Sequence, residues 1–287
     1  MAGIVRRRAG FGLAVSLAVV AALAAAGCMG NNATPPIIYV ALTNAPATPT
    51  PAPTTPLPSG VTPAPTATPT PGPATPVIGS VVISSDAPDG RWKVTFKKPI
   101  VSGIPAPAST KINDAITAKV NSLITAFTGP GLPSVQSGGA PSTLEGDFTT
   151  ALDSPTLLSL RFTVLTFVTG AAHPIGTPSS INFVVSSGVT IALTSLFNDP
   201  AAALPVLSTQ AHASLSAALG SDLTWAGPAT AMSFFDKAWA LTSAGLEFSW
   251  AQGDLASMAA GTPSATLAWT AIKTLIKPGS AAGEFIH

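Results

Sequence analysis

Between Leu157 and Phe197 apolar and polar residues alternate in three successive runs, and that alternation leaves the chain few folding options. A period of two is the period of a strand, so each run must bury one face and show the other. Leu158, Leu160, Phe162 and Val164 share one face of the first strand, with Ser159, Arg161 and Thr163 on the other. Ile181, Phe183 and Val185 repeat the pattern. Ser186, Ser187 and Gly188 then supply a hairpin turn, with Gly where a positive φ is wanted. Val189, Ile191 and Leu193 read as the third strand.

A sheet buried on one face needs cover. Ile112, Ile116, Val120, Leu123 and Phe127 fall at spacings of 4, 4, 3 and 4, the stripe of an amphipathic helix. Ser109 or Thr110 is its expected cap, and the Gly-Pro-Gly run at 129–131 its stop. Upstream, Val81–Ser84 and Arg91–Lys98 read as an opening hairpin. Arg91, Lys93, Thr95 and Lys97 share its polar face, read as a solvated face or a protected edge, against the alternative of a basic patch for anionic wall polymers. Thr143–Leu152 gives another strand. Downstream, Asn198, Asp199 and Pro200 signal a helix start. Pro205 is expected to split that helix, leaving a short turn and a main segment over 204–219, closed by Gly220 and burying Leu207, Ala211, Leu215 and Ala218 or Leu219. Late strands are expected over 246–250 and 266–267, and a helical turn or two over 268–276. The fold class is α+β: a mostly antiparallel sheet with hairpins and two main helices packed on it, in a single domain over 78–280, with a frayed tail over 281–287.

What precedes residue 78 does not join that fold. Arg6, Arg7 and Arg8 form a basic start, and 9–27 is apolar apart from Ser16, so 1–27 reads as a lipoprotein signal peptide. The only cysteine of the chain, Cys28, stands at the lipobox position after Ala25, Ala26 and Gly27 and is the expected lipidation site. The other fate of the leader is retention as a membrane helix, for which this uncharged run of 19 residues suffices. Residues 28–77 read as a disordered stalk. Asn44 to Pro76 holds twelve prolines and nine threonines, and no charge occurs between Arg8 and Asp86. Such a stretch cannot bury enough apolar area to fold; extended at ~3.1 Å per residue it reaches about 100 Å. The chain is therefore expected to be exported and anchored to the membrane on its extracytoplasmic side.

Charge excludes some partners. Without the three leader arginines, ten basic residues face twelve acidic ones, too even a balance for nucleic acid. One cysteine rules out an internal disulfide and thiolate-cluster metals. Of the three histidines, His173, His212 and His287, none has a second ligand at metal-site spacing, and neither a metal nor a cofactor is expected. Paired carboxylates would have to come from Glu145, Asp147 and Glu247, with nothing to favour them over solvated surface. The five tryptophans show no ladder spacing and read as core.

The segment Phe167-Val168-Thr169-Gly170-Ala171-Ala172-His173-Pro174, followed by Asn182-Phe183 and by Leu193-Thr194-Ser195-Leu196-Phe197, resembles the DUF3298 domain. Ala171 stands where that family has a second Gly. Leu241 to Phe248 resembles the family's late strand; Ala259-Ala260-Gly261 and Leu267-Ala268-Trp269 resemble its closing segment. The resemblance spans roughly 81–276. DUF3298 domains form the extracellular half of RsiV-type anti-sigma factors and accompany some peptidoglycan deacetylases, whose metal-binding catalytic residues this chain lacks. The resemblance implies a non-catalytic envelope protein that binds a wall polymer or a wall-degrading enzyme such as lysozyme. Thr169, Gly170, Ala171, Ala172, His173 and Pro174 are its expected contact loop. The eight-residue basic start cannot hold a sigma-binding segment. The alternative is a secreted esterase or hydrolase using His173 with a nearby serine.

Overall fold

The computed structural model describes residues 74–129, 131–135 and 139–286. The leader, Cys28, the stalk up to residue 73 and His287 lie outside the described residues. Six strands form one sheet in chain order: β1 (Val77–Asp86), β2 (Trp92–Ser102), β3 (Ser142–Asp153), β4 (Leu157–Phe167), β5 (Ile175–Val184) and β6 (Val189–Thr190). Every pairing is antiparallel except β2 with β3, between which the helix α1 (Ala106–Thr128) makes the crossover that a parallel pair needs. Val77 pairs with Ser102 at one end of the sheet, while Trp92 pairs with Ser142, and Thr143 with Phe167, at the other. The described chain thus enters at one end, and the β4–β5 loop lies at the opposite end.

The helix stripe read from the sequence does its expected work. Ile112, Ile116 and Val120 are fully buried against Val94, Phe96, Leu158, Leu160 and Phe162. Gly146 is the concession that lets this core close, because a Cβ there would collide with the Phe96 ring. Gly188, at a φ of 68°, lets the β5–β6 turn come against the backbone of Ala108.

The other face of β4 and β5 is covered by a second sheet, which the sequence reading did not anticipate. It consists of β7 (Trp239–Leu241), β8 (Gly245–Ser249) and β9 (Ser264–Ala268), paired antiparallel. Alternation along β8 sends Glu247 toward β4, while Leu246 and Phe248 join the core shared with the second long helix, α2 (Pro200–Leu219). That core holds Leu207, Ala211 and Leu215 of α2 with Trp239, Trp250, Leu267 and Trp269. The layers therefore run α1, large sheet, small sheet, α2.

Side chains, not a backbone ladder, join the two sheets. Ser159 and Asn182 are buried on the face away from α1. Asn182 Nδ2 donates to Trp239 O (3.0 Å), and Leu241 N–H donates to both Ser159 Oγ (3.1 Å) and Asn182 Oδ1 (3.3 Å). Ser180 Oγ accepts from Trp239 N–H at 2.8 Å. The edge of the small sheet is satisfied by the side chains of its neighbour, as buried backbone must be.

Several expectations need correction. The helix α1 starts at Ala106, with Pro105 as cap residue and Pro107 in its first turn, not at Ser109 or Thr110. Proline is well placed there, where its missing N–H leaves nothing unpaired. The third strand of the 157–197 run stops at Thr190, and Leu193–Leu196 coils into a 3-10 turn that drops Leu193 and Leu196 into the second core. Pro205 does not split α2. Asp199 caps the helix by accepting from Ala201 N–H and Ala202 N–H, and the buried Ala203 and Leu207 hold the segment helical on either side of the proline. At the C-terminus, Ala281–Phe285 forms a 3-10 turn in place of a frayed tail; Ala282 is buried, and Phe285 stacks on Trp269 with centroids 4.7 Å apart. The strand β2 is interior, so the edge is β1. Its basic row is matched by carboxylates: Arg91 with Asp89 at 3.2 Å, Lys93 with Asp86 at 3.9 Å and Lys97 with Asp147 at 3.6 Å. A solvated, charge-balanced face is what remains.

Candidate functional site

The loop between β4 and β5 carries the residues singled out in the sequence, and its two roots are pinned. Thr169 N–H donates to Ser142 Oγ (3.0 Å), Thr169 Oγ1 donates to Ala140 O (2.8 Å), and the two hydroxyls lie 3.2 Å apart. Ser142 is fully buried at the start of β3. At the other root, Gly176 N–H donates to Gln252 Oε1 (3.0 Å), and Gln252 N–H donates back to Gly176 O (2.9 Å). Between the roots, Gly170, Ala171, Ala172, His173 and Pro174 are all exposed. Gly170 takes a φ of 89°, and Ala171 N–H closes a turn on Val168 O at 2.8 Å. The result is a short projecting loop on a fixed base, a usual carrier of contacts.

His173 Nδ1 sits 3.0 Å from the carbonyl of its own neighbour, Pro174. Among the described residues its ring has no other hydrogen-bond partner, so the structure brings no serine hydroxyl to it. His212 is tied down within the fold: Nε2 lies 3.2 Å from Trp225 O, Ser216 Oγ lies 3.3 Å from Nδ1, and the ring meets Trp225 edge-on. Glu145 and Asp147 are exposed on β3. Burial lowers the Lys119 ammonium pKa, partly offset by Asp236, and burial raises that of Asp153 at the sheet end away from the loop.

Two features escaped sequence reasoning. One is the structural role of Asn182, a residue of the family-like Asn-Phe pair that turns out to hold the two sheets together. The other is an ion pair across the layers between Arg161 of β4 and Glu247 of β8. Its signal was present as two opposite charges, each in the interior of an otherwise uncharged strand.

Residues 194–270 match the family model described as "Protein of unknown function (DUF3298)". A DUF3298 family protein from Pseudomonas aeruginosa has a similar structure, with a TM-score of 0.51 at 10% identity, covering 70% of this chain and 94% of that one. A DUF3298 family member from Bacteroides fragilis gives a TM-score of 0.47 at 12% identity, covering 71% and 95%. No curated protein matches the sequence. The match falls on the small sheet and its helices, the likeness of the Pseudomonas structure extends the shared fold across the large sheet, and the chain carries a DUF3298 domain.

Proposed function

We propose that this chain is an exported, non-catalytic envelope lipoprotein, anchored through Cys28 on its Pro/Thr stalk, that offers the 169–174 loop to a wall-degrading enzyme. The observation that carries this reading is the position of the loop. It lies at the end of the large sheet opposite Val77, where the described chain enters. A domain tethered at its entry would hold that loop at its far side. A projecting loop with fixed roots suits insertion into a concave partner, and the substrate cleft of a lysozyme-like enzyme is one. Fixed roots lower the ordering cost of binding. The esterase alternative gains no support at His173, whose ring is engaged by a backbone carbonyl.

The test uses the full chain in detergent, immobilised beside His173→Ala and Gly170→Val variants, with purified lysozyme and soluble wall glycan as probes. Retention of lysozyme by the parent and its loss in the folded variants supports the proposal. Retention of the glycan alone transfers the loop to the wall-polymer reading, and retention of neither ends both. Mass spectrometry of the N-terminal peptide tests the anchor: a diacylglyceryl group on Cys28 is expected, and an unmodified mature cysteine would refute it.

A further inference from the structure

Where β4 and β8 face each other, the two sheets do not close completely. They leave a cleft of about 200 Å³. Arg161 and Glu247 meet at its floor through Nη1 and Oε1. Among the described residues that is the single hydrogen bond the guanidinium makes: Nε is buried with no partner there, yet the Arg161 side chain is still 37% exposed. Two residues further along each strand stand Thr163 and Ser249, and Ser264 lies opposite Ser249 in the β8–β9 register. Thr262, and Thr149 opposite Arg161 on β3, complete the rim. Deeper in the seam, Ser159 and Ser180 use their hydroxyls to hold β7. The five rim hydroxyls, by contrast, have no side-chain hydrogen bond within the described residues.

We propose that this cleft binds one neutral polyhydroxyl ring, a hexopyranose unit. Arg161 and Glu247 cancel one another, so the site has no net charge with which to draw an ion out of water. Each is nevertheless a stronger hydrogen-bonding group than a neutral one. A sugar hydroxyl is both donor and acceptor, so a vicinal pair can donate to the carboxylate and accept from the guanidinium without breaking the ion pair. The serine and threonine hydroxyls of the rim serve in either direction. A volume below the roughly 300–1,000 Å³ of drug-sized pockets limits the occupant to about one ring. The site is separate from the 169–174 loop and does not depend on what that loop holds.

The experiment is saturation-transfer NMR on the full chain in detergent, with glucose and N-acetylglucosamine as probes and with glycine and acetate beside them. The expected result is saturable sugar binding with a dissociation constant on the order of 1 mM. It should weaken at least about tenfold in Thr163→Val and in Glu247→Gln, and stay unchanged in His173→Ala. Thr163 is exposed, so its variant decides the matter should Glu247→Gln fail to fold. No saturable sugar signal up to about 50 mM would overturn the proposal. So would sugar binding indifferent to Thr163→Val, or binding of glycine or acetate in place of sugar, which would make the cleft an ion site.

Discussion

The two halves of the domain are built in opposite ways. Up to Val185 the chain makes long strands, with one apolar stripe per strand and one amphipathic helix to cover them; its core, from Val94 to Val185, is drawn wholly from that half. From Leu193 onward the strands are three to five residues long, joined by 3-10 turns, and the core is crowded with aromatic rings: Phe235 meets Phe248 at 4.9 Å, and Trp225 meets Phe234 at 4.8 Å. The first half could pack on α1 alone. The second has its own core but docks its sheet edge through the side chains of the first. What differs is where the specificity lies. In one half it is in periodicity, in the other in a few buried polar side chains.

Core truncation should have the largest effect. Phe96→Ala in the first core and Phe248→Ala in the second should each lower stability by about 3–5 kcal/mol, read by urea denaturation. Four of the five tryptophans lie after Leu193, so their fluorescence reports on the second half and far-UV circular dichroism on both. Coincident midpoints in both variants are expected if the shared strands couple the halves; separated midpoints would make them independent folding units. Asn182→Ala comes next, at about 1–3 kcal/mol, because it leaves the Trp239 carbonyl buried and unpaired. Amide hydrogen exchange should then rise in β7 and stay low in β1 to β3. An equal rise in both would show that the seam is not what separates them. Thr169→Val should cost about 1 kcal/mol by removing the hydroxyl that donates to Ala140 O, with faster exchange confined to 168–174.

The smallest effect is electrostatic. Burial raises the pKa of Asp153, so the folded chain holds that proton more tightly than the unfolded one. Its stabilising share is complete below the ordinary carboxylate range and is lost as pH rises through the folded value, leaving a slight penalty at neutral pH. Asp153→Asn should therefore raise the melting temperature slightly at pH 7 and leave it unchanged at pH 3. The opposite order would mean that Asp153 gains a partner in solution.

Legibility followed the same division. Leu158 to Val164, and the stripe from Ile112 to Phe127, could be read directly because the face of each that meets the first core is apolar and the opposite face carries polar side chains, Ser159, Arg161 and Thr163 in β4. The strand β7 could not, since Trp239, Ala240 and Leu241 are all buried and a strand covered on both sides loses its period. Pro205 misled for a related reason: local propensity argues against a helix there, and tertiary packing of Ala203 and Leu207 outweighs it. For the loop, residue identity showed where to look. The pinning of Thr169 by Ser142, 27 residues away, required the fold.

The placement of β1 has a mechanical consequence. Its ten residue pairs with β2 begin at Val77, and β1 is the outermost strand of the large sheet. A pull between the entry point and the opposite end of the sheet runs along that ladder, so its hydrogen bonds share the load instead of parting one by one. A domain tugged between a fixed tether and a captured partner would thus meet the force in shear, the direction in which paired strands yield last.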